Sequence, residues 1–460
     1  MKKITLSKNS SKTKSALIAG AAVLTAFTYQ SNAQSAVDAL LNKLEQKGIL
    51  TTEETKALRA ENEMDATNDF SAALNEKFPM SSWVKSYKIG GDFRGRFEQF
   101  SGNNSAFDDR TRLRYRLRFG VVASLLDNME VGFRAGSGDP APGSFSTQGN
   151  PLSQNSTMQN NWSDKGIYID AAYAKWTAIN SGDWLLAATI GKMDNPFSFT
   201  WMVFDPDLTP EGAAITGTYA INDRHSLAYA GAAFVLDEES SNTHDPFMYG
   251  GQILWNAKWS SKWTSSLGVG AFAIVSPEQL TTSNVPYVNQ GNTRSSSGVL
   301  RHNYTPVIAD ASLTYTFDTA PLYTGAFPVK LQGEFMNNPG AATDNNGCWV
   351  GVTFGKSGKK HTWDLSYRYE YLEADAWYDQ LVDDDSGAYY QHAPVAGGSG
   401  YSGGTNIKGH FMKFNYSLTD SLTFSATCYL NSLINQTLAG GVTEPQSEAM
   451  HFMADLMWKF

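Results

Sequence analysis

The final eleven residues, Met450 to Phe460, alternate strictly between two kinds of side chain and end on a phenylalanine. Side chains of an extended strand point to opposite faces in turn. Met450, Phe452, Ala454, Leu456, Trp458 and Phe460 therefore share one face, and His451, Met453, Asp455, Met457 and Lys459 the other. The first face suits lipid, the second mostly water. The edge of a soluble sheet could carry the same pattern, so its meaning depends on the rest of the chain.

The N-terminal end has the marks of export. Lys2, Lys3, Lys8, Lys12 and Lys14 form a basic stretch, Ala16 to Phe27 is apolar, and Ser31-Asn32-Ala33 supplies small residues for cleavage. Residues 1–33 thus read as a signal peptide, with the mature chain starting near Gln34. The apolar run is too short to cross a bilayer as a helix, which takes about 20 residues. No other segment approaches that length, which excludes a helical membrane protein.

Residues 34–87 read as a periplasmic helical leader and linker. Val37, Leu40, Leu41 and Leu44 recur at helical spacing, Gly48 offers a stop, and Thr51 with Glu54 makes a capping box before Ala57 and Leu58. A spacer is the simplest role for it. A small coiled coil or a cell-wall contact is the alternative.

From Lys88 to Phe460 the chain alternates strands with turns that are short, then long. The short ones include Asp127-Asn128, Asn180 to Asp183, Asn222 to Arg224, Ser260 to Lys262, Ser357 to Lys360 and Thr419 to Ser421. The long ones include Gly136 to Gly166, Asp194 to Gly212, Ser276 to Asn303, Ala374 to Gly404 and Ile434 to Ser447. Trp176 and Trp184 flank one short turn and Trp259 and Trp263 another, as an interfacial girdle would. This pattern predicts an all-β chain: a transmembrane antiparallel barrel of about sixteen strands, preceded by the short helical segment. Ordinary hydrophobicity (42%) with 13% aromatics and 40 glycines fits an assembly that hides one face in lipid and wets the other. A net charge of −9 argues against nucleic acid as a partner. Cys348 and Cys428 lie far apart on predicted strands and read as unpaired thiols, with no metal-like spacing.

The first hairpin carries the strongest internal signal. Asp92, Arg94, Arg96 and Glu98 alternate with apolar residues, and Arg110, Arg112, Arg114, Arg116 and Arg118 then recur at period two. On a lipid face an arginine costs about 2–4 kcal/mol at mid-bilayer, so these side chains are expected to line the lumen. They either pair with neighbouring acids simply to make a wet wall or form a cationic ladder along which solutes pass. The Asp194–Gly212 stretch combines three prolines with Phe197, Phe199, Trp201, Met202, Val203 and Phe204, too apolar for a loop in water. Folded inward, it would set Asp205, Asp207 and Glu211 across from the arginines as a constriction. Otherwise its aromatics cap the rim or pack between subunits.

The segments Gly91-Asp92-Phe93-Arg94-Gly95-Arg96-Phe97-Glu98, the Arg-x-Arg run, Gly191 to Phe197, Phe204 to Gly212, Trp363 to Tyr369 and Asp383-Asp384-Asp385 resemble the bacterial family called "putative porin". The resemblance implies a passive outer-membrane pore for small hydrophilic solutes, embedded beside lipid and lipopolysaccharide. It also suggests a homotrimer, by analogy with porins of about this strand number. The aromatic last strand resembles the closing strand of outer-membrane barrels, which implies that Phe460 is read by the barrel-assembly machinery. No cofactor or metal is expected.

An enzyme is not expected either. The seven histidines stand in no convincing arrangement with a nucleophile, and Gly-x-Ser-x-Gly, His-Glu-x-x-His and phosphate-loop motifs are absent. The competing class is an adhesin or envelope-tethering barrel with incidental pore activity, its binding carried by loops such as Tyr389-Tyr390 and Gly397 to Gly404.

Overall fold

The structure, a computed structural model, describes residues 82–460 apart from 143, 144, 241, 437–442, 444 and 445. The expected signal peptide and residues 34–81 of the expected leader lie outside the described residues, while Val84–Tyr87, assigned to the leader, open the first strand. Lys88–Phe460 forms one compact unit.

Strands β1 (Val84–Gly102), β2 (Arg110–Leu125) and β3 (Met129–Gly138) come first, then a two-residue β4 (Ser156–Thr157) within a loop. Next are β5 (Gly166–Ser181), β6 (Trp184–Lys192), β7 (Glu211–Asn222), β8 (His225–Val235), β9 (Phe247–Lys258) and β10 (Trp263–Val275). The second half contains β11 (Val307–Phe317), β12 (Phe327–Asn337), β13 (Asn346–Gly355) and β14 (Trp363–Leu372). A loop hairpin of β15 (Gly387–Tyr390) and β16 (Gly400–Gly403) precedes β17 (Ile407–Ser417), β18 (Leu422–Leu433) and β19 (Ala449–Lys459). Setting aside β4, β15 and β16, sixteen antiparallel strands pair in sequence, and β19 returns to pair with β1, from Asp92↔Lys459 to Gly102↔Ala449. The expected barrel of about sixteen strands is what forms.

Closure follows from hydrogen-bond accounting. In hydrocarbon each unpaired backbone amide costs several kcal/mol, so a sheet survives there only without edges. Here the last edge is sealed at its very end, where the Gly91 amide donates to the Phe460 carbonyl (2.9 Å) and the Phe460 amide donates back (3.1 Å).

Alternation sorts every wall strand. Leu113, Leu117 and Phe119 of β2, Ile253 of β9, Leu331 and Phe335 of β12 and Val350 of β13 are exposed on the outer face. Their neighbours in sequence turn inward and are buried, among them Arg114, Arg116, Gln252, Glu334, Trp349, Arg368 and Glu370. Trp176, Trp184, Trp259 and Trp263 remain exposed beside the short turns. On β19, His451, Met453 and Asp455 are the buried set. Both cysteines are free thiols.

The main hydrophobic core lies inside the barrel. Phe197, Phe199, Met202, Val203 and Phe204 pack there with Phe272 of β10, Met336 of β12 and Trp377 and Leu381 of the 373–406 loop. Loops from one end thus fill much of the interior. Within the described residues the helical content is 3-10 only, at Leu126–Asn128, Pro277–Gln279 and Phe145.

Gly91 sits where the first and last strands meet, and a Cβ there would lie 2.1 Å from the Arg118 carbonyl oxygen. A Cβ on Gly95, on the same strand, would meet nothing within 4 Å. Gly91→Ala is therefore expected to lower the yield of folded, heat-modifiable barrel, whereas Gly95→Ala keeps it. Equal yields for the two variants on semi-native gels would show that closure does not depend on this approach.

Candidate functional site

Asp92, Arg94, Arg96 and Glu98 of β1 share the inward face with Arg112, Arg114, Arg116 and Arg118 of β2. Arg96 donates from Nε and Nη2 to the two oxygens of Asp455, at 2.8 and 2.9 Å. Glu98 is wholly buried and takes contacts from Arg96, Arg112 and Arg114. Asp92 accepts from Arg116 at 2.9 Å and from Arg118 at 2.7 Å. Buried charges are tolerated when paired and fully hydrogen-bonded, and this wall approaches neutrality by pairing. Arg94 differs: its Nη2 donates to Asn155 Oδ1 at 2.8 Å, and among the described residues no carboxylate lies within ion-pair distance of it. Arg110 is exposed at the start of β2 and joins no ion pair among the described residues.

Residues 193–210 run across the interior. Ser198 donates its amide (2.9 Å) and hydroxyl (3.1 Å) to Gln252 of β9. Thr200 Oγ1 donates to Glu334 of β12 (2.8 Å) and accepts from Trp349 Nε1 of β13 (2.9 Å). Trp201 Nε1 donates to Glu370 of β14 at 3.1 Å. Four wall strands, β9, β12, β13 and β14, thus hold three residues of the loop.

The tightest fastening is Arg368 of β14. Its guanidinium carbon lies 3.3 Å from the ring centroid of Trp201 and 3.7 Å from that of Phe411 on β17. Glu370 and Asp383 stand 3.5 and 3.8 Å from its nitrogens. A desolvated cation–π contact contributes about 2 kcal/mol, and here the cation is stacked on both faces.

The carboxylates of the inward loops gather beside this stack. Asp205, Asp383 and Asp384 bring ligand oxygens within 4.8 Å of one another. Their loops are joined by backbone bonds from Asp205 N to Leu381 O (2.7 Å) and from Asp383 N to Trp201 O (3.1 Å). Burial, and then the repulsion of their neighbours, pushes the carboxyls of Asp205 and Asp384 well above the usual range. Asp383 is raised to about 7, first by burial and then by Asp385, against the opposing pull of Arg368. Acidification below that point discharges the cluster. Geometry alone would let the three carboxylates, or the set Glu98, Asp385 and His451, surround a cation. The Asp205 oxygens, however, already accept from the amides of Asp207 and Asp384, and Glu98 is held by three arginines.

Asp207 is the link between the loop and the arginine wall, with Oδ1 3.0 Å from Arg116 Nη1. Between them opens a cavity of about 300 Å³ whose lining includes Arg94, Arg96, Arg368 and Lys413 on the wall strands and Asp205, Asp207 and Asp384 on the loops. Glu211 stands apart: it opens β7, is exposed, and pairs with Lys192 at 3.0 Å across the neighbouring strand. Phe460 is exposed at the closing seam. Two features escaped the sequence reading of the site, the Arg368 stack and the part of Asp383-Asp384-Asp385. The dyad of β14 placed Arg368 on the polar face, and the run of three acids was visible, but nothing local says that they meet Trp201 and Asp205.

Residues 99–289 match the model of a family described as "Putative porin". Over that stretch the chain is similar to the putative porin family. No curated relative matches the sequence. Among solved structures, the high-pH structure of OprB from Pseudomonas putida is similar at 11% identity and TM-score 0.50, covering 81% of this chain and 94% of that one. The low-pH OprB structure covers 86% and 97% at 11% identity and TM-score 0.43. A mutant of the Rhodopseudomonas blastica porin covers 81% and 100% at 11% identity and TM-score 0.41. The first of these likenesses shows the fold.

Because Trp201 supplies one face of the Arg368 stack, Trp201→Ala should weaken loop docking by about 2 kcal/mol, the loss of a desolvated cation–π contact. Limited proteolysis of the reconstituted barrel should then cut within residues 193–210 while the barrel stays heat-modifiable. A cleavage pattern identical to wild type would show that the stack does not hold the loop.

Proposed function

We propose that this chain is a passive outer-membrane channel for small polar or charged solutes, with an arginine-lined lumen narrowed by residues 193–210. One observation carries the reading: Asp207, on a loop fastened to four wall strands, reaches Arg116 across the edge of the central cavity. A loop capping the rim would have no such partner. Opposed basic and acidic walls set up a transverse field, which orders water and favours polar solutes over apolar ones. Asp205 and Asp207 are the constriction residues in this reading, and Arg94, Arg96, Arg112, Arg114, Arg116 and Arg118 the lining. Exposed Arg110 and Glu211 belong to the approach, where they bias entering ions.

The test is electrical. In planar bilayers the protein is expected to give stepwise currents, and replacing Arg112, Arg114 and Arg116 together with Gln should move the reversal potential in a salt gradient toward cations. Gln keeps donors for Glu98 and Asp92, and semi-native gels verify folding. A folded triple variant with an unchanged reversal potential would place these arginines off the ion path. An absence of current from folded wild type would favour the adhesin class.

A further inference from the structure

Most charges on the inner wall have a partner, and apart from Asp310 and Lys330, which lie elsewhere on β11 and β12, several of those without one line a single cavity. Arg94 has no carboxylate within 4 Å, and its Nε is buried without a hydrogen-bond partner. Lys413 of β17, half-buried, forms neither ion pair nor hydrogen bond among the described residues. On the loop side Asp384 gives its amide to Asp205, but its own carboxylate accepts nothing from the described residues. All three line the same space of about 300 Å³, the lower end of the range for small-molecule sites. Two unmatched cations on the wall thus share one cavity with an unmatched carboxyl group on the loop.

We infer that this cavity is a subsite for small zwitterions of the amino-acid class, with Arg94 and Lys413 holding the carboxylate and Asp384 the ammonium. The inference rests on the channel reading above and adds a substrate class to it. A neutral solute would leave both cations unmatched. A monoanion would satisfy the cations but lie against the carboxylates, a like-charge juxtaposition that costs binding. A zwitterion satisfies both sides, and its ammonium favours the ionised form of Asp205, Asp383 and Asp384, which stand within 4.8 Å of one another and otherwise oppose one another's ionisation. A bare metal ion is less suited, because the Asp205 oxygens are already taken by backbone amides and Asp383 Oδ2 by the Tyr429 hydroxyl at 3.1 Å.

The experiment is proteoliposome swelling with L-alanine and with lactamide, a neutral molecule of nearly the same size and shape. Wild type is expected to admit alanine several-fold faster than lactamide. That ratio should fall to near unity in the Arg94→Gln/Lys413→Gln double variant and in Asp384→Asn, and persist in the charge-conserving Arg94→Lys/Lys413→Arg. No alanine advantage in wild type overturns the inference while leaving the channel intact, and needs no variant to fold. An advantage lost in the double variant but kept in Asp384→Asn also overturns it, reducing the subsite to an anion contact. Swelling with neither solute would overturn the channel reading itself.

Discussion

Hydrogen bonding in a medium without water is the constraint on which the rest of this structure depends. Because a sheet in hydrocarbon cannot keep an edge, β1 and β19 must meet, and the chain's last residue completes that seam with Gly91. Closure creates an inside and an outside, and the two-residue period of each strand assigns every side chain to one of them. Most apolar residues go out, except those such as Phe272 and Met336 that meet the inward loops. The charged residues on the other face are thereby delivered to the interior, where they have to be paired, hydrated or used.

The interior answers in three ways. The β1–β2 arginines are paired almost one for one with carboxylates of their own strands, of β19 and of the inward loops, which removes most of the cost of enclosing them. The apolar loop 193–210 buries its aromatics against Phe272 and Trp377 rather than exposing them, and Gln252, Glu334 and Glu370 absorb its polar groups. A small remainder of Arg94, Lys413 and Asp384 is left unmatched around the cavity. Asp310 and Lys330 are unmatched elsewhere on the wall, but only this group brings cations and a carboxylate to the lining of the cavity beside the loop.

Much of this was readable in the sequence because it is local. Strand number, the inward set on β2 and β14, the tryptophans beside short turns and the alternation of the last strand depend only on period two and turn chemistry. The loop's burial was legible too, since three prolines among six large apolar residues cannot stay in water. What could not be read needs contacts between distant segments. Arg368 meets Trp201 across the barrel, and Asp384 meets Asp205 through two loops that fold against each other. Glu211 shows the same limit from the other side. It lies four residues beyond Asp207, yet it belongs to β7 and pairs with Lys192 across a strand boundary that the apolar run of the loop concealed. Arg110 continues the arginine period but sits at the exposed start of its strand, a fact set by strand length rather than by pattern.

The central claim is that solutes pass between the Asp207 loop and the arginine wall. The most direct test is to place a single thiol at Asp207 and record single-channel current while adding a membrane-impermeant cationic thiol reagent. Cys348 and Cys428 face outward from β13 and β18, so wild type serves as the unreactive control. A stepwise fall in current for Asp207→Cys, with none for wild type, is the predicted result. Current that continues unchanged after complete labelling of that cysteine would contradict it.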